Sequence, residues 1–157
     1  MIDPVVRRAR GDDADALAAL EAEARAALVD ARGGVRWLEE HPPVGSAWAT
    51  VVETGTVFVA VLSDPAAGAD SIEVLVGYLV LVIDGSVARI DQVFVTPDAR
   101  ELGFGDTLVE VATDAARAAG GAVIEGEALP GDRDTKNLYE RAGITARLIT
   151  VSRRLDS

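Results

Sequence analysis

The sequence predicts a single α/β domain, residues 1–157, in which helices flank a central sheet. Three observations carry this expectation. A chain of 157 residues suits one domain and can bury roughly 70% of its unfolded surface without covalent staples. Apolar runs of strand length alternate with segments whose apolar residues recur at helical spacing. Hydrophobic residues make up 49% of the chain, which excludes a disordered polymer. No internal repeat and no linker-like stretch divides the sequence.

The elements follow in order. Val5-Val6 opens a short strand that Arg7, Arg8 and Arg10 continue. Gly11-Asp12-Asp13 is a turn and helix N-cap signal. Leu17, Leu20, Ala24, Ala27 and Leu28 then recur at helical spacing, with Glu21, Glu23 and Arg25 elsewhere on the wheel. Gly33-Gly34 ends that helix. Residues 35–40 read as a second, short helix stopped by Pro42-Pro43, and residues 46–55 fit neither period. Residues 57–62 form a strand by composition, and residues 64–70 form a loop. Residues 74–83 form a long apolar strand, joined through the hairpin signal Asp84-Gly85 to a strand over 87–95. A helix over 106–119 presents Leu108, Val111, Ala112, Ala115 and Ala119 on one face, and Gly120-Gly121 caps it. A strand over 122–127, a short helix over 134–142 and a last strand over 147–154 complete the order β-α-α-β-β-β-α-β-α-β.

Composition removes several chemistries. The chain has no cysteine, so disulfides, thiolate zinc sites and thiol nucleophiles are excluded. Its one histidine, His41, cannot build a multi-histidine metal site, and no metal is expected. The net charge of −11 opposes phosphate neutralisation, so no nucleic-acid partner is expected. The start, Met1-Ile2-Asp3-Pro4, lacks the pattern of a secretory leader, and the apolar run over 74–83 is too short to span a bilayer. No membrane partner and a cytoplasmic location are the corresponding expectations.

Residues 91–108 are the most informative segment. A strand leads through a loop with Arg100-x-x-Gly103-x-Gly105 into a helix. Two close glycines let backbone N–H groups approach a ligand, and a helix N-terminus adds partial positive charge. Arg100 suits bidentate contact with phosphate. The loop therefore suits an anion such as a pyrophosphate. A dinucleotide fingerprint would need glycine where Leu108 stands, and a Walker loop would need Gly-Lys-Ser/Thr; the only lysine, Lys136, lies elsewhere.

On these residues the sequence resembles the GNAT acetyltransferase superfamily. Val95-x-Pro97-x-x-Arg100-x-x-Gly103-x-Gly105 is similar to that family's acetyl-CoA pyrophosphate motif. Downstream, Leu138-Tyr139-Glu140-Arg141-Ala142-Gly143-Ile144 is similar to its tyrosine-bearing helix. The resemblance implies a GNAT-like mixed, mostly antiparallel central sheet flanked by helices. It implies acetyl-CoA as co-substrate and an amine acceptor, small molecule or peptide, attacked directly in a ternary complex. A homodimer is compatible with it. It assigns cofactor contacts to Val93, Phe94, Val95, Arg100, Glu101, Leu102, Gly103, Phe104, Gly105, Asp106, Asp132, Lys136 and Tyr139. Glu101 and Leu102 stand where the family often has glycine and a basic residue, and Asp132 where it often has asparagine.

Acetyl transfer requires an amine to lose a proton, a carbonyl to be polarised and a thiolate to be protonated. The resemblance assigns the acid to Tyr139. For the base, Asp91 is the first candidate, with Glu125 and Glu127 on the next strand as rivals and a water chain as a further option. Trp37, Trp48, Phe58 and Tyr78 either line an acceptor pocket or fill the core. A non-catalytic acyl-CoA-binding domain of the same fold is the alternative function. A nucleotide-phosphate binder on an unrelated sheet is weaker, since it gives Tyr139 no role.

Overall fold

The computed structural model describes residues 4–63, 68 and 72–156. The loop expected over 64–70 lies outside the described residues apart from Gly68.

Five strands form one sheet in sequence order: β1 (Val5–Arg8), β2 (Thr56–Leu62), β3 (Val74–Asp84), β4 (Val87–Val95) and β5 (Val123–Gly126). The first four are antiparallel neighbours, and β5 joins β4 in parallel. The sheet is therefore mixed and mostly antiparallel. The long β3–β4 hairpin turns at the Asp84-Gly85 signal, as its residue types dictate.

The helices cover both faces. On one face lie α1 (Ala14–Leu28), α2 (Gly34–Glu40) and α3 (Trp48–Thr54). Leu17, Leu20 and Trp48 pack there against Val57, Val59, Val61, Tyr78 and Val80. On the other face, α4 (Phe104–Ala118) and α5 (Arg133–Arg141) pack against Leu79, Leu81, Ala88 and Ile90. Alternate residues of β2 and β3 thus feed two cores, which is why these strands are apolar almost throughout.

The structure departs from the sequence expectation in three places. Residues 48–54, unassigned by pattern, are helical because Trp48 anchors α3 in the core with 1% exposure. The helix expected at 106 begins at Phe104, which is fully buried, and its buried stripe runs through Leu108, Val109, Ala112 and Ala116 rather than reaching Ala119. Residues 147–154 form no strand. Leu148, Ile149 and Val151 are 78%, 78% and 87% exposed, and Arg36 of α2 donates to the Ser152 hydroxyl at 3.3 Å. β-branched composition expresses fitness for a pleated surface, and here the segment pairs with no sheet edge.

Candidate active site

The site opens where two parallel strands part. The β4–β5 ladder runs from Val87↔Val123 to Ile90↔Gly126 and stops there, while β4 continues to Val95. Backbone groups of residues 91–95 on that side have no strand partner among the described residues and face a cleft. A register shift opposite Val80/Leu81 leaves Asp91 as the extra residue of a bulge in β4. Bulges bend and twist a strand, which helps β4 diverge from β5.

Tyr139 of α5 fills the fork. A Cβ at Gly126 would lie 2.6 Å from the Tyr139 hydroxyl oxygen and 2.7 Å from Cζ. Only glycine at the last position of β5 lets the ring lie this close to the strand. Tyr139 is 6% exposed. Burial, then the negative charges of Asp132 and Glu127, pushes its phenol well above the ordinary tyrosine value. The hydroxyl therefore keeps its proton across the neutral range.

Two cavities meet at the fork and share Ala24, Leu28, Val93, Asp132 and Thr135 as lining. The larger, of about 740 Å³, runs along Val93, Phe94 and Val95 toward Arg100, Glu101 and Gly105. Gly103, at φ +85°, precedes α4 and no side chain caps the helix, so the first-turn N–H groups lack intrahelical acceptors. Arg100 donates from Nε to the Val95 carbonyl at 3.0 Å and from Nη1 to Asp134 at 2.7 Å. Its guanidinium also lies 5.7 Å over the Phe94 ring. Asp132 caps α5, accepting from the Thr135 N–H at 3.2 Å and the Thr135 hydroxyl at 2.7 Å.

The expected cofactor residues therefore separate into two groups. Val93, Phe94, Val95, Arg100, Glu101, Gly105 and Asp132 line the larger cavity, and Tyr139 lines the adjoining one. Leu102, Gly103, Phe104, Asp106 and Lys136 line neither. Phe104 belongs to the core, and Asp106 pairs with Arg141 at 3.0 Å. Arg133, a cation the sequence offers beside Lys136 for the phosphates, lines the larger cavity, as do Asn137 and Arg141, which the sequence does not single out as cofactor contacts.

The smaller cavity, of about 370 Å³, lies between α1, α2, β4 and the segment after β5. Its organising group is Glu21, which is 3% exposed although it reads as the polar side of α1. The carboxylate accepts from the Val44 and Gly45 N–H groups at 2.9 and 3.0 Å and from Trp48 Nε1 at 3.2 Å. Gln92 donates to it at 3.4 Å, and Tyr78 donates its hydroxyl to Gln92 Oε1 at 2.7 Å. Burial, then the Glu21 charge, raises the Tyr78 phenol despite the opposing Arg25. Asp91 lies 3.6 Å from Arg89, and Glu125 stands opposite Arg89 across the ladder without lining either cavity. Trp37 and His41 also line this cavity, with ring centroids 4.4 Å apart. Trp48 and Phe58 fill the core instead. Among the described residues no cluster of three or more His, Asp or Glu groups could hold a metal ion, and no helix is long and apolar enough to cross a membrane.

Of the residues that sequence reasoning missed, Gly126 carried a readable signal, a glycine inside a strand pattern, which marks close approach. Glu21 carried none, because its partners lie 23 to 71 positions away.

Known structures share this architecture. A mutant of the BH1408 protein from Bacillus halodurans is 22% identical, with TM-score 0.74, over 96% of this chain and 99% of that one. A ribosomal-protein-alanine N-acetyltransferase from Brucella melitensis is 18% identical, with TM-score 0.70, over 98% and 100%. The AAC(6')-Iy structure with the bisubstrate analogue CoA-S-monomethyl-acetylneamine is 16% identical, with TM-score 0.62, over 98% and 99%. At these identities the likeness is one of fold. Comparison with curated proteins finds no match. A profile described as the acetyltransferase (GNAT) family matches residues 18–144. The forked strands, the tyrosine in the fork and this match over most of the sequence together show that the chain belongs to the acetyltransferase (GNAT) family and is an acyltransferase.

Proposed function

We propose that the chain, acting as one cytoplasmic domain, moves the acetyl group of acetyl-CoA to a primary amine by direct attack with both substrates bound. The observation that carries this reading is the fork, where the open β4 edge, the buried Tyr139 hydroxyl and two adjoining cavities meet. The larger cavity fits a long phosphate-bearing cofactor. It is lined by unpaired strand backbone at one end and reaches the uncapped start of α4 at the other. Val93 to Val95 would hold the arm, while Arg100, Arg133 and the first turn of α4 would hold phosphates. Acetyl-CoA supplies an activated acyl group there.

The chain's own groups do the rest. A backbone N–H on the open edge is available to hold a carbonyl oxygen. Tyr139 keeps its proton and presents it to a departing sulfur. The acceptor amine, with a free pKa of about 10.4, must shed a proton. Glu127 is better placed than Asp91 to receive it. Both line the acceptor cavity, but Asp91 is paired with Arg89 at 3.6 Å, whereas the charge of Glu127 acts on the Tyr139 phenol. The similar structures described as a ribosomal-protein-alanine N-acetyltransferase and an aminoglycoside acetyltransferase support an amine acceptor.

The test is steady-state release of CoA thiol with an amine panel, beside acetyl-CoA affinity by calorimetry. Tyr139→Phe should lower kcat by about 10²–10⁴-fold and leave acetyl-CoA affinity nearly unchanged. Equal kcat in both proteins would remove the acid role. Binding without turnover for any amine would make this a sensing domain of the same fold.

A further inference from the structure

The larger cavity carries an acid on the arginine that a phosphate would need. Three arginines line it, Arg100, Arg133 and Arg141, against four carboxylates, Asp98, Glu101, Asp132 and Asp134. Acids thus outnumber cations in a cavity suited to a phosphate-bearing ligand. One of those acids lies directly on a cation, with Asp134 Oδ2 at 2.7 Å from Arg100 Nη1. Carboxylate and phosphate oxygens accept from a guanidinium in the same way, so Asp134 takes an N–H that a phosphate would use. The N–H groups of one guanidinium lie close together. A phosphate on the remaining ones would still face the Asp134 charge.

Arg100 does not depend on Asp134 for its position. Its Nε donates to the Val95 carbonyl at 3.0 Å, and its guanidinium lies 5.7 Å over the Phe94 ring. Both partners belong to β4, so the strand holds the arginine whatever α5 does. Asp134 is held differently. It stands in the first turn of α5, its side chain is 68% exposed, and its side-chain hydrogen bond among the described residues goes to Arg100. Such a side chain can turn into water at the small cost of one solvent-screened ion pair.

We propose that Asp134 restrains cofactor binding by competing with a phosphate of acetyl-CoA for Arg100, which rests on the acetyl-transfer reading of this cavity. In the free protein the pair ties the turn after β4 to the start of α5. Filling the cavity breaks that tie and leaves Arg100 on Val95 and Phe94. Asp134 is a residue that sets cofactor affinity from outside the chemistry.

The experiment is titration calorimetry of acetyl-CoA and CoA into wild type, Asp134→Asn, Asp134→Glu and Asp114→Asn. Asp114 pairs with Arg117 at 3.3 Å and lines neither cavity, so its loss removes the same charge elsewhere. At about 0.02 M salt Asp134→Asn should bind acetyl-CoA about three- to fivefold more tightly, the scale of one solvent-screened charge contact. CoA should gain by the same factor, since it carries the same phosphates. At about 1 M salt, where the screening length is about 3 Å, the gain should fall below about twofold. Asp134→Glu keeps the charge and should stay near wild type, as should Asp114→Asn. Unchanged or weaker binding by Asp134→Asn, with acetyl-CoA still bound and turned over by wild type, overturns the competition while acetyl transfer stands. Equal gains from Asp134→Asn and Asp114→Asn, or a gain that persists at high salt, overturn it too. No binding of acetyl-CoA or CoA by any of these proteins overturns both readings.

Discussion

Gly126→Ala tests whether the fork positions Tyr139. The added methyl would lie 2.6 Å from the Tyr139 hydroxyl oxygen, and the hydroxyl must retreat to about 3.4 Å before the contact becomes ordinary. The ring is 6% exposed and packed in the α4–α5 core, so it cannot swing freely. Overpacking of this kind costs about 1–3 kcal/mol. For a chain this size that is a fall in Tm of roughly 2–12 °C. The catalytic effect should be larger in proportion, because a misplacement of ~1 Å can cost about 10²-fold in rate. The assay is kcat for CoA release in four proteins: wild type, Gly126→Ala, Tyr139→Phe and the double variant. If Gly126 acts through the hydroxyl, the double variant should be little slower than Tyr139→Phe, since no hydroxyl remains to misplace. Wild-type kcat in a folded Gly126→Ala protein would refute the argument. So would an equal loss from Gly126→Ala in both backgrounds.

Three further outcomes follow from the same geometry. Glu127→Gln should lower kcat/KM by about 10²-fold in the thiol-release assay, the scale of general base catalysis, whereas Asp91→Asn should change it by less than about threefold. Glu21→Gln removes a buried charge that accepts four hydrogen bonds. It should cost about 2–3 kcal/mol and lower Tm by roughly 5–10 °C by calorimetry. Burial raises both Tyr78 and Tyr139 above the unfolded value, so the folded chain holds protons that the unfolded chain releases. That contribution is whole below about pH 10 and is lost as pH rises past it, so Tm should fall steeply above about pH 10 and less so in Tyr78→Phe.

Short-range pattern was enough for most elements. The apolar runs of β2, β3 and β4 and the Asp84-Gly85 turn declare themselves, because strand and turn chemistry are local. The periodic stripes of α1 and α4 do the same, as does the Gly103-x-Gly105 start of α4. The place of Tyr139 on a short helix was legible through its motif. Tertiary structure alone decided which groups meet. Glu21 sits at a polar position of an amphipathic helix, yet it is buried because the chain brings Val44, Gly45, Trp48 and Gln92 to it. Asp91 and Glu127 read as rival acids in strand patterns; both line the cavity, and only the folded chain sets the charge of Glu127 on the Tyr139 phenol. The stack of Trp37 and His41 is local, four positions apart, but the two line the cavity only because α2 lies over the cleft. Residues 147–154 have the composition of a strand, but a strand needs an edge, and composition does not say which edge a segment reaches. Propensity and period act between residues a few positions apart. Burial, pairing and the fork depend on contacts between distant segments, which only the folded chain brings together.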